Sequence, residues 1–199
     1  MTRPILVVVL GVACMSGVAD AHFVLVTPAA TLVQNRLGDP QKLGPCGGTS
    51  ADSGTPSNEI GKVKGGENLH LKVEETVFHP GHYRVALAAS PKELPADPDV
   101  ATQPSERGPR SVSAPIARTA EAPVLADGLF VHTVKATGPF EADVLIPNIN
   151  CEKCTLQVVQ FMAEHGLNPD GGYFYHHCAD LQITADASKP IDRRWATKP

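Results

Sequence analysis

Punctuation constrains this chain more than any single motif, because 18 prolines and 17 glycines among 199 residues cut it into short apolar runs. Proline removes a backbone donor and fixes φ, and glycine weakens any regular element, so long helices are excluded where these residues cluster. Between them lie seven runs rich in Val, Leu, Ile, Phe and Tyr, at 23–26, 69–74, 83–88, 128–134, 141–146, 155–161 and 173–184. Several alternate with the period of a half-buried strand: Leu69, Leu71 and Val73 fall on one face, His70 and Lys72 on the other. Seven strands without a convincing amphipathic helix predict an all-β fold, an immunoglobulin/fibronectin III-like β-sandwich with long irregular loops and two disulfides.

Two internal stretches depart from this pattern. Residues 90–126 carry Pro91, Pro95, Pro98, Pro104, Pro109, Pro115 and Pro123 and read as a long flexible loop, not a strand pair. Residues 38–66 are a second irregular stretch, pinned midway by Cys46. After Ala185 the chain reads as a loose tail, 186–199.

The first 21 residues have another logic. Arg3, the apolar run 5–14 and the small residues ending in Ala19-Asp20-Ala21 make a secretory signal peptide with an A-x-A cleavage pattern. The run is too short to span a bilayer, so no membrane span is expected. A secreted or periplasmic protein is expected, with a working domain at 22–185. Cleavage frees the α-amine of His22. Such a histidine offers two neutral nitrogens, the amine and a ring nitrogen, which can close a chelate around one metal ion, and no internal histidine can do that.

The leader removes Arg3 and Asp20, one charge of each sign, so the formal net charge stays at -4. This mild acidity argues against nucleic acid as a partner. Aromatic residues make up 5%, with Trp195 the single tryptophan, so no sugar-binding surface built from several tryptophans is evident. No oligomer interface signal stands out, and a monomer is expected. Cys14 leaves with the leader, and Cys46, Cys151, Cys154 and Cys178 form an even set suited to an oxidising compartment. The simplest pairing is a local Cys151–Cys154 bridge with Cys46–Cys178 as the long staple. A redox or zinc Cys-x-x-Cys is the alternative, but no second pair and no βαβ pattern accompany it.

Among the eight histidines, His79 and His82 flank a Pro80-Gly81 turn that feeds an alternating strand, expected at an exposed rim. If 23–26 begins in an adjacent strand, a histidine of this turn reaches the N-terminus. His22 with two nitrogens and His79 with a third make a T-shaped site, and neutral nitrogens in a plane suit copper. The alternative is a pair of turn histidines without metal. In the run 173–181, Tyr175 and His177 point to one face while Phe174, His176 and Cys178 point to the other. A Cys46–Cys178 bridge would fix this strand and give Tyr175 a defined place near copper. Opposite facing works against a zinc site from His176, His177 and His165.

Taken together these residues resemble the lytic polysaccharide monooxygenases, copper enzymes whose mature N-terminal histidine forms a histidine brace. The resemblance rests on His22 opening the strand His22-Phe23-Val24-Leu25, on His79-Pro80-Gly81-His82-Tyr83 as the brace loop, and on Tyr175 standing three positions before Cys178. Cys151-Glu152-Lys153-Cys154-Thr155-Leu156-Gln157 is similar to a strand of the animal-type lineage. The resemblance implies His22 and His79 as metal ligands, Tyr175 axial to copper, and the same three as catalytic residues. It also implies an external electron donor, and oxygen or peroxide used to abstract hydrogen from a glycosidic carbon of cellulose or chitin. Many members place a Gln or Glu beside copper; here Tyr173 stands two before Tyr175, and Gln160, Glu164 and His165 are the candidates. Pro45-Cys46-Gly47-Gly48 is similar to a motif of monooxygenase-like fungal proteins in which the brace handles copper without cleaving sugar.

Three functions follow in order. The first is a copper-dependent polysaccharide monooxygenase or close relative. The second is an extracytoplasmic copper chaperone or acquisition protein that passes the ion to an acceptor protein. The third is a structural or adhesive sandwich without metal, which leaves the position of His22 unexplained.

Overall fold

The computed structural model describes residues 22–195; the predicted signal peptide and residues 196–199 lie outside the described residues. The chain is nearly all β. All seven expected strands form: β1 (His22–Thr27), β3 (Asn68–Val77), β4 (Gly81–Ala88), β7 (Val124–His132), β8 (Phe140–Leu145), β9 (Cys151–Met162) and β10 (Phe174–Thr184). Three more were not anticipated. Strand β2 (Ile60–Lys64) falls at the end of the stretch expected to be irregular, and its pairing with β10 is parallel. Strands β5 (Ala101–Gln103) and β6 (Arg110–Ser113) form an antiparallel pair inside 90–126.

That pair corrects the expectation of a flexible loop. Ser111 is buried and accepts and donates at once: its hydroxyl bonds the Met162 carbonyl at 2.6 Å and receives the His165 amide at 3.0 Å. Backbone bonds join Ser111 to Glu164 and His165, each 2.9 Å. Prolines stopped a long strand from forming there, but four residues sufficed to dock the segment.

One sheet has the order β1-β3-β8 and a second the order β2-β10-β9-β4-β7. The main apolar core draws on both, with Phe23, Leu25, Leu71 and Val73 from the first and Tyr83, Val85, Leu156, Val158 and Tyr175 from the second. Both predicted disulfides are present, Cys46–Cys178 and Cys151–Cys154. No helix among the described residues is long and apolar enough to cross a membrane.

Two further expectations change. Every residue of β4 is buried, so the strand does not alternate, and His79 and His82 are buried, not rim-exposed. The cause is position: β4 lies between β9 and β7, and Val100 and Ala114 of the 90–126 segment pack with Val159 and Phe161. The segment after Ala185 is held as far as Trp195. The Asn148 amide donates to the carbonyls of Asp186, Lys189 and Pro190 at 3.0–3.1 Å, and Trp195 packs against the core.

Candidate metal centre

Antiparallel pairing of β1 with β3 sets His22 opposite Val77. His79 stands two residues beyond Val77, in the turn that carries the chain from the first sheet into β4 of the second. That turn needs glycine at its exit. A Cβ on Gly81 would lie 1.9 Å from the Phe161 carbonyl oxygen, so only a bare backbone allows β4 to approach β9 there.

In the second sheet Tyr83, Gln160 and Tyr175 are register partners across β4, β9 and β10, and so share one face. The His22 ring meets Tyr175 edge-on with centroids 5.3 Å apart. Tyr175 lies 6.5 Å from the His165 ring, which lies 4.8 Å from that of His79. The four rings form a chain, His22, Tyr175, His165, His79, at one end of the core. The expected alternation in β10 holds: Tyr175 joins the main core and Phe174 packs on the other side of the strand.

Hydrogen bonds decide which ring nitrogens carry protons. His22 Nε2 lies 3.2 Å from Asp39 Oδ1. In a neutral ring that bond keeps the proton on Nε2. Asp39 follows Gly38, which adopts φ +101 and passes so close to β1 that a Cβ would lie 1.9 Å from the Phe23 carbonyl oxygen. His165 Nδ1 faces the Gly166 carbonyl, which leaves Nε2 with the lone pair. Asn168 donates to the Tyr175 hydroxyl at 3.4 Å.

A buried carboxylate stands behind the His79 turn. Glu75 Oε1 accepts from His132 Nε2 at 3.0 Å, Gln160 Nε2 at 3.0 Å and the His79 backbone amide at 3.3 Å. Burial opposes the imidazolium of His132, but the bonds to Glu75 and the Phe130 carbonyl, with the Glu75 charge, outweigh it and raise the pKa. Phe130 adopts φ 53, a left-handed conformation uncommon for a bulky residue, and its carbonyl meets His132 Nδ1 at 2.7 Å. Burial, then the Glu75 charge, pushes the Tyr83 phenol well above its ordinary pKa.

Four polar atoms here are buried without a hydrogen-bond partner among the described residues: Glu75 Oε2, Gln160 Oε1, His165 Nε2 and Tyr83 Oη. Interiors seldom leave so many groups unsatisfied in one place. No group of three or more His, Cys, Asp or Glu side chains among the described residues is arranged as a metal cage. A ligand set of two imidazoles and an α-amine does not require one.

Of the residues named from sequence, His22 and Tyr175 are in direct ring contact, and His79 joins them through His165. Among the three candidates for the place beside Tyr175, Glu164 turns away to Arg110 at 2.8 Å, while Gln160 and His165 remain. His82, His176 and His177 stand elsewhere: His82 packs on Phe161, His176 binds Asp97 and His177 donates to the Phe23 carbonyl. Glu75, His132 and Asp39 had no sequence signal, since each is a lone polar residue among many. No protein-family model matches the chain, and no curated protein gives a significant match.

Proposed function

We propose that the mature protein is an extracytoplasmic copper protein of the histidine-brace kind on an immunoglobulin/fibronectin III-like sandwich, and that it acts as a copper-dependent polysaccharide monooxygenase. The observation that carries this reading is the chain of four rings joining His22 to Tyr175, His165 and His79. His22 would hold copper through its ring and its freed amine, His79 through its ring, and Tyr175 would stand beside the ion. The donor set is neutral nitrogen with one phenol oxygen, which suits copper among first-row ions. Bound copper supplies one-electron chemistry that activates oxygen or peroxide against a glycosidic C–H bond. Asp39 would fix the His22 tautomer, Gln160 is the register partner of Tyr175 and His165 packs against its ring, and the surrounding burial would limit access of water.

The first test uses the chain beginning at His22, loaded with copper and given reductant and peroxide on chitin, cellulose and xylan. Oxidised oligosaccharides are expected from one polymer. A chain carrying one extra residue before His22 should lose copper affinity by at least about tenfold, since one donor of the chelate is gone. Unchanged affinity would refute the brace. A second reading, a copper chaperone or acquisition protein, is favoured by the surface, because none of the exposed large apolar residues among the described ones is aromatic. Tight copper binding, transfer to an acceptor protein and no product from any polymer would select it.

A further inference from the structure

We infer that Glu75 is the positioning residue of the His79 arm, an inference that rests on the brace reading. Its geometry is that of a bolt between the two sheets. Glu75 belongs to β3 of the first sheet, while two of its donors, His132 on β7 and Gln160 on β9, belong to the second. Its third donor is the backbone amide of His79, in the turn that links the sheets. The side chain is 2% exposed, so the carboxylate is locked by packing as well as by hydrogen bonds.

Stability alone does not account for this arrangement. A buried carboxylate whose second oxygen, Oε2, has no partner among the described residues bears a desolvation penalty that an apolar pair of similar volume would avoid. What the carboxylate provides is direction. One oxygen takes donors from β7, β9 and the turn, which fixes the His79 backbone against the strand whose Gln160 is the register partner of Tyr175. An imidazole ligand must be held to within a fraction of an ångström to bind tightly, and supporting partners of metal ligands commonly contribute 10–100-fold in affinity. Glu75 acts through the backbone of His79, not through its ring, and so differs from a partner that sets a tautomer.

The test compares Glu75→Leu, which removes the acceptor, with Glu75→Gln, which retains an oxygen for the His79 amide. In the copper-free protein, the His79 amide should exchange with solvent markedly faster in Glu75→Leu and at nearly the wild-type rate in Glu75→Gln. With copper, Glu75→Leu should lose about 10–100-fold in affinity and show an altered copper hyperfine pattern in electron paramagnetic resonance, and Glu75→Gln should restore most of both. Should Glu75→Leu fail to fold, His132→Leu removes a second donor to the Glu75 carboxylate, from the strand paired with Gly81 at the exit of the turn, and should change the copper spectrum in the same direction.

A folded Glu75→Leu protein with wild-type affinity, spectrum and His79 exchange overturns the positioning role, as does an unaltered spectrum in His132→Leu. Those outcomes leave the brace standing, provided the wild type binds copper and the chain extended before His22 does not. If the extension leaves wild-type copper binding intact, the brace reading falls and the inference falls with it.

Discussion

His177, outside the candidate site, shows how one side chain couples burial to acidity. Its ring is packed edge-on against Phe23 at 4.8 Å and bonded to the Phe23 carbonyl. Burial pushes its pKa down to about 4, against the carbonyl bond that would raise it. The unfolded chain takes up a proton near the ordinary imidazole value of 6.5. Between these values the unfolded state therefore binds more protons, so stability falls as pH drops from about 6.5 to about 4, by about 3 kcal/mol for this group. His82, lowered chiefly by burial, acts in the same direction. Denaturant titration of the copper-free protein at pH 7.5 and 4.5 should show this loss, and His177→Gln should reduce it. An equal loss in the variant would assign it to other groups.

At the scale of elements, the two disulfides do different work. Cys46–Cys178 joins positions 132 apart in sequence, whereas Cys151–Cys154 joins positions 3 apart at the start of β9. Loop-closure entropy grows with the loop, so removing the long staple with paired Ser substitutions should cost about 2–5 kcal/mol and removing the short bridge distinctly less. Thermal melting of the two double variants decides this, and equal losses would contradict it. The staple also anchors β10 three positions after Tyr175. A second element-scale test concerns the C-terminal segment: Asn148→Ala removes the amide whose two N–H groups are shared among the carbonyls at 186, 189 and 190 and whose oxygen accepts from the Asp186 amide. A loss of about 2 kcal/mol is expected with copper affinity unaltered, because Asn148 touches no residue of the site. Altered affinity would show that this end of the chain reaches the candidate site.

Much of this layer was legible in the sequence. Period-two alternation located β3 and the facing of β10, and cysteine spacing located the bridges. Strands β2, β5 and β6 were not legible, because short edge pairs between prolines and glycines carry too few residues to show a period. The exposed rim expected for His79 and His82 failed for a related reason: exposure depends on what the distant segment around Ser111 covers, and that segment was read as free.

For the whole molecule, sequence alone singled out the candidate donors: a histidine directly after a segment with signal-peptide character, a His-Pro-Gly turn and a tyrosine on a strand tethered by a cysteine. These are local facts of chemistry and period, and they survive any tertiary arrangement. Tertiary structure decided which of them meet. Antiparallel pairing of β1 with β3 set His22 opposite Val77, near the His79 turn, and the order β10-β9-β4 put Tyr175, Gln160 and Tyr83 on one face. It also recruited Asp39, Glu75 and His132, from segments far apart in the chain, and brought His165 of the sequence candidates against His79. Nothing local distinguishes the first three from surface residues of the same type. Their roles arise from burial and from hydrogen bonds that exist only once the sheets have closed on one another.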